Sequence, residues 1–185
     1  MEWKVPLTDI ELASQEVEAI AKVIESKWLT MGEVTRGFET AFAQYLGVKH
    51  AFAVTNGTAA LHIAHSAISL RKTDEVICPS LTFVATSNAI LYTGAIPVFA
   101  DVSGIHDLNI SPDNITESIT AKTKAITAVH YGGYPCDMDA ILEIANKHQL
   151  YVIEDAAHAP GVEFKGKKAG MIGDIGCFSF FRTKT

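Results

Sequence analysis

Four stretches of this 185-residue chain hold residue types whose spacing suits chemistry. The first, Thr55-Asn56-Gly57-Thr58-Ala59-Ala60-Leu61, is a polar turn with one glycine that opens directly into an apolar helical run. Backbone N–H groups of Gly57, Thr58 and Ala59 would have no intrahelical partners there, and with the helix dipole and the Thr58 hydroxyl they suit a phosphate. Simple capping by Asn56 or Thr58 is the alternative use of the same turn. Neither G-x-G-x-x-G nor G-K-[ST] occurs in it, which removes the common nucleotide-binding loops. The second stretch, Cys78-Pro79-Ser80-Leu81-Thr82-Phe83, places an aromatic ring where it could stack on a flat ligand or fill a core. In the third, apolar Tyr151-Val152-Ile153 runs into Glu154-Asp155-Ala156-Ala157-His158. A carboxylate at the mouth of a buried strand asks for a cationic partner, unless Asp155 caps the next turn, and His158 can fold back over the two small alanines. The fourth, Cys177-Phe178-Ser179-Phe180-Phe181-Arg182-Thr183-Lys184, sends Ser179 and Lys184 from one strand end.

Taken together these stretches offer a phosphate cradle, an aromatic plate, a carboxylate beside an imidazole, and a lysine. Pyridoxal phosphate has a use for each: an amine for covalent attachment, an acid that keeps the pyridine nitrogen protonated so the ring can accept electrons, and an anchor for its phosphate.

The elements that must position these residues follow from periodicity. Apolar positions from Asp9 to Lys27 recur at helical spacing, Trp28 to Gly32 breaks the pattern, and Glu33 to Tyr45 resumes it until Gly47. Beyond Gly47, strand-like runs at Ala51–Thr55, Glu75–Cys78, Pro97–Asp101, Ala125–Val129, Tyr151–Glu154 and Gly176–Phe180 alternate with helical stretches at 58–70, 83–92, 112–119 and 138–148. Strand followed by helix, repeated, predicts an α/β fold in three layers: a mainly parallel sheet with helices on both faces. Such sheets bind ligands beyond the carboxyl ends of their strands, where all four stretches fall. The expected division is a helical arm, 1–47, carrying a substrate-side loop, and an α/β cofactor-binding domain, 48–185.

Composition restricts the alternatives. A chain 48% hydrophobic and 19% charged belongs among globular proteins, and a net charge of -6 without long runs of one sign gives no footprint for nucleic acid or an acidic membrane. Three cysteines without CxxC spacing argue against a disulfide framework or a zinc site and suit a reducing cytoplasm. The start lacks the apolar core of a signal peptide and no stretch approaches a membrane span, so the Asn-x-Ser/Thr triplets at Asn109 and Asn114 are read as chance. His62 and His65 lie about one helical turn apart with no third ligand suggested, so no metal is expected. His130 and Tyr131 close a strand and either line a pocket or pack.

Seven collinear stretches resemble the DegT-type sugar aminotransferases, members of the fold type I pyridoxal-phosphate enzymes. They are Trp28-Leu29-Thr30-Met31-Gly32, Asn56-Gly57-Thr58-Ala59-Ala60-Leu61-His62, Asp74-Glu75-Val76-Ile77, Thr82-Phe83-Val84-Ala85-Thr86, Gly94-Ala95-Ile96-Pro97-Val98, Glu154-Asp155-Ala156-Ala157-His158 and Gly173-Asp174-Ile175-Gly176-Cys177-Phe178-Ser179-Phe180. The resemblance puts Lys184 on the cofactor-bearing lysine, Asp155 on the partner of the pyridine nitrogen and Phe83 on the residue that stacks on the ring. It puts Gly57, Thr58 and Ser179 on phosphate contacts, His158 on a position facing the ring hydroxyl, and Thr30 and Gly32 in a sugar-side loop.

The implied activity is transamination of a nucleotide-linked keto sugar with glutamate as donor, in polysaccharide, antibiotic or cell-surface sugar biosynthesis, by a homodimer. Relatives that dehydrate sugars carry histidine at the lysine position, whereas this chain has Lys184. A non-catalytic relative that keeps the fold as a binding or regulatory module is the other reading. Relatives of this type continue well beyond the lysine, so the chain is expected to be an N-terminal part, incomplete at its C-terminus and inactive alone. Lys72-Thr73 before Asp74 and Arg182-Thr183 before Lys184 depart from the family pattern.

Overall fold

The structure, a computed structural model, describes residues 12–181. They form two compact units that divide after Ala53.

The first unit is built on α1 (Ser14–Glu25) and α2 (Glu33–Leu46). At the start of α1 the Glu16 carboxylate accepts from the Ala13 N–H at 2.7 Å, closing one of the donors that a helix start leaves open. Gly47 ends α2 in the left-handed conformation, φ +77°, and the N–H groups of Gly47 and Val48 both donate to the Ala43 carbonyl. Between the helices the Trp28 indole N–H donates to the Met31 carbonyl at 3.1 Å and folds the loop onto itself. Val17, Ile20 and Ile24 repeat at helical spacing along α1, and all three are exposed.

The second unit begins with α3 (Gly57–Ala67), followed by β1 (Glu75–Pro79), α4 (Ala85–Tyr92), β2 (Ile96–Ala100), the hairpin β3 (Val102–Gly104) and β4 (Asp107–Ile110), and α5 (Pro112–Ser118). Next come β5 (Thr123–Val129), α6 (Met138–His148), β6 (Tyr151–Asp155), the short hairpin β7 (Glu163–Phe164) and β8 (Lys167–Lys168), and β9 (Ile175–Cys177). The main sheet has the order β2-β1-β5-β6-β9, and every adjacent pair in it is parallel. Strand order reverses between β1 and β5, which is where ligands of open α/β sheets bind.

Alternation along the strands sorts the core into two faces. Ile77, Ile126, Ala128 and Val152 pack with Ile115 of α5 and with Met138, Ile141 and Ala145 of α6. Their strand neighbours face the opposite way: Ile153 and Cys177 meet Leu61 and Ala64 of α3 with Ala85 and Ala89 of α4, while Val76, Cys78 and Ala125 meet Ile90 of α4. The sheet therefore lies between two helical layers, the architecture that alternating strands and helices predict. Among the described residues no helix is long and apolar enough to cross a membrane.

Three local expectations are corrected. Residues Ala51–Thr55 join no ladder among the described residues. Phe52 is 79% exposed, and the Ala53 N–H donates to the Glu39 carboxylate at 2.8 Å rather than to a neighbouring strand. The last strand ends at Cys177, so 178–181 is irregular. The two hairpins break stretches in which no strand is expected.

Candidate functional site

The carboxyl ends of β1, β6 and β9 and the start of α3 converge on one side of the second unit. Asp155 closes β6, pairs in register with Cys177 of β9, and is 5% exposed. Its Oδ2 accepts from the Thr86 hydroxyl at 2.9 Å and its Oδ1 from the Ala157 N–H at 3.2 Å. Burial pushes its pKa up, against opposing effects of the Thr86 and Ala157 hydrogen bonds and of His158 and His130. Among the described residues no lysine or arginine forms an ion pair with it.

The chain that leaves β9 reaches Ser179, which meets the start of α3. A Cβ placed on Gly57 would lie 3.2 Å from the Ser179 Cβ and 3.4 Å from the Phe178 carbonyl oxygen, so only a glycine lets these two segments approach without displacing either. Asn56 caps α3, its side chain accepting from the Ala59 N–H at 2.9 Å. Ala59 is thereby removed from the expected set of anion donors. The N–H groups of Gly57 and Thr58 have no partner among the described residues. Capping and anion binding are thus compatible at this turn, because each uses different N–H groups. The Ser179 oxygen accepts from the Phe181 N–H at 3.4 Å, which leaves its own proton available for donation.

Phe83 lies between β1 and α4 and is 63% exposed, so a core-filling role does not describe it. His158 is half-buried; its Nδ1 accepts from the Gly132 N–H at 3.2 Å, and its ring meets Tyr131 edge-on at 6.0 Å. With Nδ1 accepting, a neutral His158 carries its proton on Nε2. Lys184 lies outside the described residues. Thr30 and Gly32 belong to the first unit, in the loop between α1 and α2. Thr30 is exposed and borders an open concavity of about 570 Å³ also lined by Trp28, Leu29, Met31 and Arg36. Gly32 is buried, and a Cβ on it would lie 2.6 Å from the Trp28 indole nitrogen.

Two residues without an assigned role hold the site together. Glu154, 0% exposed, points to the opposite face from Asp155. Its Oε1 accepts from the Ile172 and Gly173 N–H groups, both at 2.7 Å, and its Oε2 from the Gly170 N–H at 2.8 Å and His130 Nε2 at 2.9 Å. His130 Nδ1 in turn accepts from the Cys136 N–H at 3.1 Å, which fixes Nε2 as the donor to Glu154. Burial acts to raise the Glu154 pKa, but the hydrogen bonds from His130, Gly173 and Gly170 outweigh it and the net shift is downward. Glu154 therefore fastens the loop that feeds β9 to the end of β6. The loop accepts this because of its glycines: a Cβ on Gly176 would lie 2.0 Å from the Gly170 carbonyl oxygen, and one on Gly173 2.7 Å from that of Val152. That glycine spacing after a buried Glu is the sequence signal for the clamp. Thr86 is the second such residue, fully buried in α4.

In the α3 pair, His65 has both ring nitrogens engaged inside the protein. His65 is buried, with Nδ1 2.7 Å from the Leu61 carbonyl oxygen and Nε2 2.9 Å from the Thr127 hydroxyl, while His62 meets the Tyr92 ring edge-on.

The arrangement fits pyridoxal phosphate: a buried carboxylate without a lysine or arginine partner among the described residues for a protonated ring nitrogen, and two N–H groups unpartnered among those residues with a serine hydroxyl, brought close at a glycine, for a phosphate. Comparison with known proteins bears on the family. The chain is 43% identical over 182 residues to the GDP-perosamine synthase of Vibrio cholerae, covering 98% of this chain and 49% of that one. Among solved structures it matches an aminotransferase from Psychrobacter cryohalolentis with TM-score 0.89 and 42% identity over 96% of this chain and 46% of the other. It also matches the PLP-form of Spr1654, a putative sugar aminotransferase from Streptococcus pneumoniae, with TM-score 0.93 and 26% identity over 98% and 50%. The chain spans about half the length of the curated relatives it matches. Residues 11–185 match the DegT/DnrJ/EryC1/StrS aminotransferase family, and the chain belongs to that family.

Proposed function

We propose that the intact protein is a pyridoxal-phosphate-dependent aminotransferase that places an amino group on a nucleotide-linked keto sugar, with glutamate as donor, in polysaccharide, antibiotic or cell-surface sugar biosynthesis. The observation that carries this reading is the Asp155 carboxylate, buried at a strand end without a cationic partner among the described residues, in the same strand-end cluster as the Gly57, Thr58 and Ser179 donors. When bound, the cofactor supplies an electron sink that weakens bonds at the α-carbon of an attached amino group.

The chain's own residues do the rest. Asp155 keeps the ring nitrogen protonated, and a cation placed there reverses the burial penalty on its carboxylate. Gly57 and Thr58 N–H groups and the Ser179 hydroxyl hold the phosphate, aided by the α3 dipole. Phe83 covers a ring face, and His158 faces the ring hydroxyl. Lys184 is the attachment amine. When not holding the cofactor, its ε-amine would take the proton from the donor's α-carbon while neutral and, once protonated, would give one to the sugar carbon that receives the amino group. The loop with Thr30 and Gly32 serves the sugar side, so residues 1–47 act as an arm and 48–185 as the cofactor-binding domain.

The protein works as a cytoplasmic homodimer. The exposed apolar stripe of Val17, Ile20 and Ile24 supports a covering partner. Three buried, unpaired cysteines whose thiols burial pushes up to about 12 support a reducing compartment. Lys184 favours amination over the sugar dehydration of relatives with histidine there.

Borohydride reduction of the cofactor-loaded protein followed by peptide mass mapping tests the reading. A cofactor adduct on the peptide containing Lys184 is expected; reduced protein without an adduct overturns it.

A further inference from the structure

We propose that Thr86 and Thr82 are positioning residues that form a directed hydroxyl relay setting the orientation of the Asp155 carboxylate toward the cofactor ring. The inference rests on the reading of Asp155 as the ring-nitrogen partner. Thr82 and Thr86 hydroxyl oxygens are 2.8 Å apart, and Thr86 donates to Asp155 Oδ2 at 2.9 Å. A carboxylate only accepts, so the single Thr86 proton goes to Asp155, and Thr86 must accept from Thr82. Each link polarises the next, the outer one part-buried and the inner one buried.

The geometry departs from that of two other helical threonines. Thr40 and Thr116 donate back to the carbonyls of Arg36 and Pro112, four residues earlier. Thr86 instead turns its proton to a carboxylate 69 residues away, and its contact with the residue four earlier is through the Thr82 side chain. Thr86 is 0% exposed, so its hydroxyl cannot exchange this partner for water. With the Ala157 N–H on Oδ1, both carboxylate oxygens are fixed and the plane of the group is set. The relay begins next to Phe83, so one segment carries both the ring-facing aromatic and the support of the acid.

The test uses the intact protein and the variants Thr86→Val, Thr86→Ser, Thr82→Val, Thr82→Val with Thr86→Val, and Asp155→Ala. Pyridoxal phosphate affinity and the pH midpoint of its visible band are measured by absorbance titration. Valine matches threonine in shape, and thermal melts of the cofactor-free proteins identify any variant that fails to fold. Losing one hydrogen bond to a charged group should weaken affinity by about tenfold for Thr86→Val, since each tenfold is about 1.4 kcal/mol. Thr86→Ser should restore affinity to within about twofold, and Thr82→Val should cost about two- to threefold. The double variant should be no weaker than Thr86→Val alone, because Thr82 acts through Thr86. The band midpoint should move in Thr86→Val and return in Thr86→Ser. Wild-type affinity and midpoint in Thr86→Val, failure of serine to rescue, or additive losses in the double variant would overturn the relay. A wild type that binds no cofactor, or an Asp155→Ala variant that binds like wild type with an unmoved band, overturns the reading of Asp155 and the relay with it. Sensitivity to Asp155→Ala without sensitivity to Thr86→Val overturns the relay alone.

Discussion

On the face of β6 that meets α5 and α6, Glu154 accepts four hydrogen bonds, three of them from the backbone of the 170–173 loop. One residue later, on the face that meets α3 and α4, Asp155 accepts two among the described residues. Both carboxylates are buried, yet their pKa values shift in opposite directions: Glu154 downward, Asp155 upward. Burial penalises both ions alike, so the number and kind of donors decide the sign. A carboxylate whose donors are complete in the protein serves the fold. One whose donors fall short keeps a demand for positive charge that a ligand can meet.

Four outcomes would break or sharpen this contrast. The largest concerns Asp155→Ala in the intact protein: breaking a buried ion pair costs about 3–5 kcal/mol, so turnover should fall by roughly 10²–10⁴-fold. Urea unfolding of the cofactor-free variant should meanwhile show no loss of stability, because there the carboxylate is a burden. Glu154→Ala should do the reverse, lowering the urea-unfolding stability of the cofactor-free protein by about 3–5 kcal/mol, since three backbone N–H groups and His130 lose their acceptor. Equal destabilisation by the two variants would remove the contrast.

Gly57→Ala should weaken pyridoxal phosphate binding by about tenfold in an absorbance titration, while its crowding against Ser179 costs about 1 kcal/mol of stability. The smallest effect is on the pH dependence of unfolding without cofactor. Glu154 contributes stability that is present above its unfolded pKa of 4.5 and is lost as pH falls through its lower folded value. Asp155 contributes with the opposite sign: its contribution is fully present below 3.8 and is lost as pH rises through its raised folded value. Glu154→Gln should therefore flatten the acid limb of the stability profile, and Asp155→Asn should flatten the decline above 3.8, both followed by chemical denaturation across pH.

The strand ends were legible because apolar runs closed by polar residues are local patterns. Tyr151–Glu154 and its exit into Asp155 are readable without knowing what lies beside them, one residue short of the strand that forms, and α6 spans 138–148 as its periodicity predicts. What escaped depends on partners distant in sequence. Glu154 meets residues 16 to 24 positions away, and Thr86 meets Asp155 across 69, distances at which spacing carries no signal. Ala51–Thr55 has the composition of a strand, but a strand exists only through its ladder, and the Ala53 N–H goes to Glu39. The donor set at α3 was nearly legible; that Asn56 removes Ala59 from it depends on a side-chain rotamer.

The central claim is that Asp155 holds a protonated ring nitrogen. The most direct measurement is the ¹⁵N chemical shift of ring-labelled pyridoxal phosphate bound to the intact protein and to its Asp155→Ala variant. A pyridinium shift in the wild type that moves to that of a neutral pyridine in the variant is the expected result. The same shift in both proteins would contradict it.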